Sequence, residues 1–318
     1  MKVLITGGAG FIGANLVRRL ETMAGIAEIV VIDDLSFGFR ENLDGTSATL
    51  LEGSILDEEL LRHATDGAST IVHLAARSSV PRSVAEPMAT HEVNATGTAL
   101  VLEAARRAGD VQVIVASSSS VYGSTDVLPK HEGLVARPIS PYAASKLATE
   151  SYALAWGHSY GLPVLALRLF NVFGPLQPPA HTYAAVIPAF LAAACSDRPL
   201  PVHGDGTQCR DFTFVGSVVD VLGQAITRRV THPDPVNLAF GTRVTLLEVV
   251  AELEHILERR LPVDHMPTRV GDVRRSQADS SLLLELFPDL EPTELADGLR
   301  ATVEWFERAR PWEHSASV

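Results

Sequence analysis

The stretch Val3-Leu4-Ile5-Thr6-Gly7-Gly8-Ala9-Gly10-Phe11-Ile12-Gly13 decides the architecture. A short apolar, β-branched run enters it and a segment of helical periodicity, Phe11–Met23, leaves it, so the glycines sit on a strand-to-helix turn. Gly7, Gly10 and Gly13 are spaced G-x-x-G-x-x-G. Glycines there allow a tight turn, close approach of the backbone to a pyrophosphate, and close packing of helix on strand. The start of the helix then offers free N–H groups and partial positive charge to phosphates. Asp33 follows Gly13 by 20 residues, at the end of the next apolar run, where a carboxylate accepts both hydroxyls of an adenosine ribose. That carboxylate repels a 2′-phosphate and so favours NAD over NADP; nearby Arg40 argues the other way. Three glycines alone make an ordinary turn. The strand before them, the helix after and the spaced Asp33 set this turn apart.

Outward from the loop, strand-like runs at Val3–Thr6, Glu28–Ile32, Thr70–Leu74, Val111–Ala116 and Pro163–Leu169 alternate with helical segments. The latter are Phe11–Met23, Leu60–Ala64, Val84–Ala108 and Tyr142–Tyr160. Repeated strand-then-helix order predicts an α/β chain with a doubly wound parallel sheet of Rossmann type. After Leu169 the alternation weakens. Pro175, Pro178 and Pro179 break the chain, and helices are expected near Tyr183–Ala194, Leu246–Arg259 and Glu294–Arg308. This predicts an NAD-binding domain over residues 1–170 and a smaller substrate-binding lobe over 171–318. Phe212–Val230 reads as a strand and helix that return to the main sheet, so about 211–240 is assigned there.

Composition narrows the class. The chain has 318 residues, 46% of them hydrophobic, enough to bury a real core. Its formal net charge of −12 lacks the basic footprint of a nucleic-acid binder. No apolar run approaches the ~20 residues of a membrane span, and the first residues lack the layout of a secretory signal. Cys195 and Cys209 alone make neither a disulfide framework nor a metal cluster, so no metal is expected. Together these features predict a soluble, reduced, cytoplasmic protein. An anionic substrate would have to be held by specific arginines against the negative surface.

Basic residues are lopsided, with lysine only at 2, 130 and 146, so a lysine in a motif carries weight. Lys146 stands in Tyr142-Ala143-Ala144-Ser145-Lys146, preceded by Ser140-Pro141 at a helix start. Positions four apart share one helical face. A tyrosine with a pKa of ~10 is a poor base near neutrality. A neighbouring ammonium and a positive nicotinamide would stabilise its phenolate and lower that value. Tyr142 then takes a hydroxyl proton as hydride leaves the same carbon, and Lys146 also reaches the nicotinamide ribose. Upstream, Ser117-Ser118-Ser119-Ser120 ends an apolar strand, where ligands bind in such sheets. A hydroxyl there completes a Ser–Tyr–Lys set. A solvated Tyr and Lys on a surface helix is the bland alternative; the motifs' order along the chain argues against it.

With these motifs in place, the chain resembles the extended short-chain dehydrogenase/reductase superfamily, in particular its NAD-dependent nucleotide-sugar epimerases and dehydratases. The likeness runs from Met1 to about Arg308. It rests on the glycine loop, Asp33-Asp34-Leu35-Ser36, His73-Leu74-Ala75-Ala76, Asn94 with Gly97, Ser117–Gly123, Tyr142–Lys146, Phe170–Pro175, Gly204–Phe212 and Arg269–Asp272. The resemblance implies Ser118, Tyr142 and Lys146 as catalytic groups. It implies cofactor contacts from Gly7, Gly10, Phe11, Ile12, Gly13, Asp33, Asn94, Tyr142 and Lys146, from Leu74, Ala75 and Ala76 along the pyrophosphate, and from Ser54 and Ile55 beside adenine. The family often has Asp where this chain has Ser54. It further implies Asn171, Arg210 and Arg269 on a nucleotide diphosphate and Asp272 on its ribose. Ser118, Ser119, Ser120, Tyr142, Val186 and Ser276 are placed around the sugar.

Similar 4,6-dehydratases carry Asp-Glu directly after the catalytic hydroxyl, and UDP-xylose-forming decarboxylases carry Glu two positions after it. This chain has Ser119 and Ser120. Removing water needs a base and an acid that neutral serines do not supply. The reading is therefore a 4-epimerase of a UDP-hexose of the glucose, N-acetylglucosamine or glucuronate class, with a decarboxylase or dehydratase as the alternative and a catalytically dead NAD sensor as a third. Small Ser276 leaves space around the sugar. Gln177–Pro188 looks most like bacterial UDP-N-acetylglucosamine 4-epimerases. The sequence does not place Arg82, a further cation for an acidic sugar. Helices Val84–Ala108 and Tyr142–Tyr160 resemble a pair that forms a four-helix bundle between subunits, which predicts a homodimer.

Overall fold

The computed structural model describes residues 1–179, 185–268 and 275–313. Its first half builds β1 (Lys2–Thr6), α1 (Phe11–Glu21), β2 (Glu28–Asp33), β3 (Thr49–Glu52), α2 (Glu58–Thr65) and β4 (Thr70–His73). Then come α3 (Val80–Ala85), α4 (Pro87–His91), a π turn at Glu92–Thr96, α5 (Gly97–Ala108), β5 (Gln112–Ser118), α6 (Pro141–Tyr160) and β6 (Val164–Leu169). The second half adds β7 (Val172–Phe173), α7 (Val186–Cys195), β8 (Leu200–His203), β9 (Cys209–Arg210), β10 (Thr213–Phe214) and α8 (Val215–Thr227). It closes with β11 (Val236–Leu238), β12 (Val244–Thr245), α9 (Leu246–Ile256), β13 (Val263–Met266), α10 (Ser281–Leu286) and α11 (Leu295–Ala309).

Seven strands form one parallel sheet in the order β11-β6-β5-β4-β1-β2-β3. Parallel strands need crossovers, and helices on both faces explain why β1, β2 and β4 are almost continuously buried. One face packs against α1, α8 and α10, through Leu16, Leu20, Val218, Leu222 and Leu283. The other packs against α2, α5 and α6, through Leu61, Val101, Leu102 and Ala153. A third core, with Phe190, Leu191, Val249, Leu253 and Phe306, joins α7, α9 and α11 in a separate lobe. Each such buried Leu or Phe contributes roughly 1.5–3 kcal/mol. Among the described residues, no helix is long and apolar enough to cross a membrane.

The doubly wound sheet matches the expectation, with three differences of detail. The sequence reading has no counterpart for β3, a half-buried edge strand. The expected single helix Val84–Ala108 is broken: Glu86 adopts φ −129° and ψ 64°, and Pro87 starts α4 afresh. The strand expected to open Phe212–Val230 pairs only with β7; β11 is the one that joins the main sheet beside β6.

Candidate active site

A cavity of about 600 Å³ opens along the C-terminal ends of the central strands. Gly7, Gly10, Phe11, Ile12, Gly13, Asp33, Ser54, Ile55, Leu74, Ala75, Ala76, Ser118, Ser119, Tyr142, Lys146 and Asn171 all line it. The glycine loop is tight enough to require glycine. A Cβ on Gly13 would stand 2.3 Å from the Gly7 carbonyl oxygen, and one on Gly7, at φ +73°, 2.7 Å from the Ala75 amide. Gly10 differs: the nearest heavy atom to its Cβ position is the Gly7 oxygen, at 3.2 Å, so this residue leaves the cradle open. Helix α1 has no acid in its first turn, and its N-terminal dipole faces the cleft uncompensated.

Asp33 ends β2 with Oδ2 accepting from the Ala9 amide and Oδ1 from the Leu35 amide, both at 2.9 Å. Burial pushes its carboxyl up, against these two hydrogen bonds. Each oxygen keeps a lone pair for a ribose hydroxyl. Arg40 turns away, pairs with Glu52 and does not line the cleft. Cradle, dipole and carboxylate fit a dinucleotide with an unphosphorylated ribose. Asn94, expected at the cofactor, is buried and does not line the cavity. Its Oδ1 accepts from the Arg77 amide at 2.8 Å and its Nδ2 donates to Ser145 Oγ at 2.9 Å, which fastens the loop after β4 to α6.

Helix α6 starts where Ser140 Oγ accepts from the Ala143 amide and Pro141 fixes the first turn. The Tyr142 amide donates to Ser83 Oγ at 3.0 Å, a contact with no local sequence signal. Tyr142 and Lys146 thus enter the cleft together, facing Ser118 at the end of β5. Ser118 Oγ accepts from the Ser120 amide at 3.2 Å and the Ser120 hydroxyl at 2.9 Å, so Ser120 sits behind it and does not line the cavity. The expected depression of the Tyr142 phenol is not what this arrangement produces. Burial raises its pKa, and a hydrogen bond with Ser118 only partly opposes the rise. The Lys146 ammonium is engaged elsewhere, donating to the Ala116 carbonyl at 2.8 Å, and burial lowers it to about 8. His73, between Thr6 Oγ1 at 2.7 Å and Thr98 Oγ1 at 3.0 Å, is pushed to about 3 by burial and by the Lys146 charge, so it is neutral.

A second cavity of about 290 Å³ adjoins the first and shares Asn171, Val172, Gln177 and Ala185 with it. Val186 and Arg210 line it, with His203 and Gln208. Asn171 holds φ +33° and donates from Nδ2 to the Asp211 carbonyl at 3.0 Å. Ser276 lines neither cavity; its amide donates to the Cys209 carbonyl at 3.2 Å, which ties it beside β9. Arg269 and Asp272 lie outside the described residues. Among the described residues, no cluster of His, Cys, Asp and Glu is arranged to hold a metal ion. Arg77, Arg82 and Phe37 also line the first cavity, where no motif of the sequence places them.

Comparison with known proteins adds kinship to this geometry. The NAD dependent epimerase/dehydratase family matches residues 3–239. A UDP-glucose 4-epimerase of Mycolicibacterium smegmatis is 35% identical over 312 residues, 96% of this chain and 98% of its own. A UDP-N-acetylglucosamine 4-epimerase from Methanobrevibacter ruminantium M1, solved with UDP-N-acetylmuramic acid, has a TM-score of 0.91 at 34% identity, over 97% of this chain and 98% of that one. A dTDP-glucose 4,6-dehydratase from Streptomyces venezuelae, solved with NAD, has a TM-score of 0.87 at 32% identity, over 98% of each chain. A dinucleotide cradle at the head of such a sheet and a family match across most of the chain lead to one conclusion: the chain belongs to the NAD-dependent epimerase/dehydratase family and is an NAD-dependent enzyme.

Proposed function

We propose that the protein is a nucleotide-sugar 4-epimerase that acts on a UDP-hexose through a 4-keto sugar. The observation that carries this reading is the lack of acids around Tyr142. Among the described residues, the only carboxylates lining either cavity are Asp33 and Asp34. They stand at the end of β2, three strand positions from β5 and so roughly 14 Å across the sheet. Eliminating water across C5–C6 needs a base for the C5 proton and an acid for the C6 hydroxyl. Ser119 and Ser120 stand where those groups would be. Epimerisation asks only that a proton leave O4, a hydride leave C4, and both return.

NAD, when bound, would supply a hydride acceptor able to return the hydride, together with the positive charge of its oxidised ring. Tyr142 takes the O4 proton and later returns it, with Ser118 donating to the same oxygen as it becomes a carbonyl. Lys146 holds the nicotinamide ribose. Positive charge near a phenol raised by burial makes its ionisation accessible near neutrality. Asn171 and Arg210 hold the diphosphate, and the ketose turns over in the space beside Val186. Uridine is supported by the two epimerases above, which are named for UDP-sugars. Residues 1–170, with about 211–240, form the cofactor domain; the rest of 171–318 forms the substrate lobe.

The enzyme is a cytoplasmic homodimer paired through α5 and α6. An aromatic row on α6 supports this: Tyr152, Trp156 and Tyr160 stack edge to face at 5.8 and 5.7 Å, with Tyr160 58% exposed. Sedimentation at the 34.1 kDa of one chain would refute the pairing. The function itself is tested by NMR of the purified protein with UDP-glucose, UDP-N-acetylglucosamine and UDP-glucuronate in turn. An equilibrium mixture of C4 epimers from one of them is expected, with no NADH accumulating. A 4-keto-6-deoxy sugar or released CO₂ would favour the dehydratase or decarboxylase instead, and inertness toward all three would overturn the proposal.

A further inference from the structure

We propose that Arg82 and Phe37 form a latch over the cofactor cleft that sets how long the dinucleotide stays bound. In the order β4-β1-β2, the loops that follow β2 and β4 stand on opposite sides of β1 and its glycine loop. Phe37 belongs to the first loop and Arg82 to α3 after the second, yet the guanidinium carbon of Arg82 lies 4.1 Å from the centre of the Phe37 ring. Arg77 approaches the same ring at 5.8 Å. All three line the cleft. The contact therefore arches over the place where a diphosphate meets the start of α1.

Both footings of the arch are fixed. On one side the Phe39 amide donates to the Ala9 carbonyl at 3.1 Å, and Gly38 packs so close that a Cβ there would meet the Ala9 carbonyl carbon at 2.9 Å. On the other, Ser79 Oγ accepts from the Arg82 amide at 3.3 Å, and the neighbouring Ser83 holds the Tyr142 amide. Arg77 is neutralised by Glu86, whereas Arg82 has no carboxylate partner among the described residues. With its face on the ring, the guanidinium of Arg82 keeps its N–H edge for an anion beneath. The dinucleotide leaves only when ring and cation part.

Such a latch suits an enzyme whose cofactor must return the hydride it took. The inference depends on NAD binding and not on which sugar reacts, so it stands or falls apart from the proposed reaction. Its test is exchange of NAD from the holoenzyme into excess fluorescent etheno-NAD. Arg82→Ala and Phe37→Ala should each release NAD about tenfold faster. The double variant should be no faster than the faster single, because both delete one contact. Phe37→Leu, which keeps bulk and loses the ring, replaces the alanine variant if that fails to fold. Release at the original rate in both singles would overturn the latch. So would a double variant about a hundredfold faster, in which each side chain acts on the dinucleotide separately.

Discussion

Glu150 and Arg168 form an ion pair directly under the site, and its perturbation has a calculable cost. Their side chains are only 5% and 4% exposed. Arg168 donates from Nη2 to Glu150 Oε1 at 2.6 Å and from Nε to Oε2 at 2.9 Å, and Ser117 Oγ donates to Oε2 at 2.9 Å. The guanidinium also lies 4.7 Å from the Tyr122 ring centre. The pair is neutral as a unit, so deleting one member strands a buried charge. Glu150→Gln or Arg168→Met alone should therefore cost about 3–5 kcal/mol, a large part of a typical ~5–15 kcal/mol stability. The double variant strands no charge and should lose less than the two singles together, since paired replacement of a buried ion pair removes the unpaired-charge cost. Urea unfolding of the four proteins gives the free energies, with m-values checking that the transition keeps its character. A double variant as unstable as the sum of the singles would refute the reasoning, because the loss would then come from packing and hydrogen bonds rather than unpaired charge.

Tyr142→Phe should keep bound NAD and lose about 10²–10⁴ in turnover, read by the NMR assay and by the NAD content of the purified protein. Gly13→Ala should fail to fold around NAD, because its Cβ meets the Gly7 oxygen at 2.3 Å; Gly10→Ala should fold and bind NAD at least tenfold more weakly, by titration. Folded His73 sits near 3 against 6.5 when unfolded, so its contribution to stability is complete above about pH 6.5 and drains away as pH falls toward 3. Between about pH 6.5 and 4.5 the loss should be about 2 kcal/mol, and His73→Gln should flatten that part of the profile in urea unfolding. With a net charge of −12, kcat/KM for the anionic substrate should rise between about 10 and 100 mM salt, as the Debye length shrinks from ~30 to ~10 Å. A monotonic fall would mean that the cations lining the cavities dominate even at long range.

What could be read from the sequence is what short-range geometry dictates. The glycine loop, Asp33, and Tyr142 with Lys146 each lie within one turn, one strand end or one helical face, and spacing alone puts them together. Pro87 offered a legible break inside Val84–Ala108, but the apolar periodicity on either side outweighed it. β3 had no comparable signal: a four-residue edge strand with a half-buried pattern resembles a loop. Asn94 shows a different limit. Its motif fixes where it stands in the chain, while its hydrogen bonds, to Arg77 and Ser145, depend on how α6 packs against the loop after β4. Ser83 under Tyr142 and Arg82 over Phe37 join residues more than 40 positions apart, so no local pattern announces them.

The same packing explains how an acidic chain keeps an anion site. Many of its surface charges lie in exposed pairs such as Arg19–Asp220, Arg259–Asp197 and Arg229–Asp110, which are worth little individually and impose no local sign. The cavities are lined differently: Arg82, Lys146 and Arg210 face them, with Arg77 paired to Glu86, against Asp33 and Asp34 at the end of β2. Arg40, the cation nearest those two acids in the chain, is cancelled by Glu52. Cations and the two carboxylates thus share one cleft, and the carboxylates keep their charge beside the glycine loop. A 2′-phosphate would meet two carboxylates while Arg40 is already engaged by Glu52, so the preference for NAD follows from the pairing of Arg40 as much as from Asp33 itself.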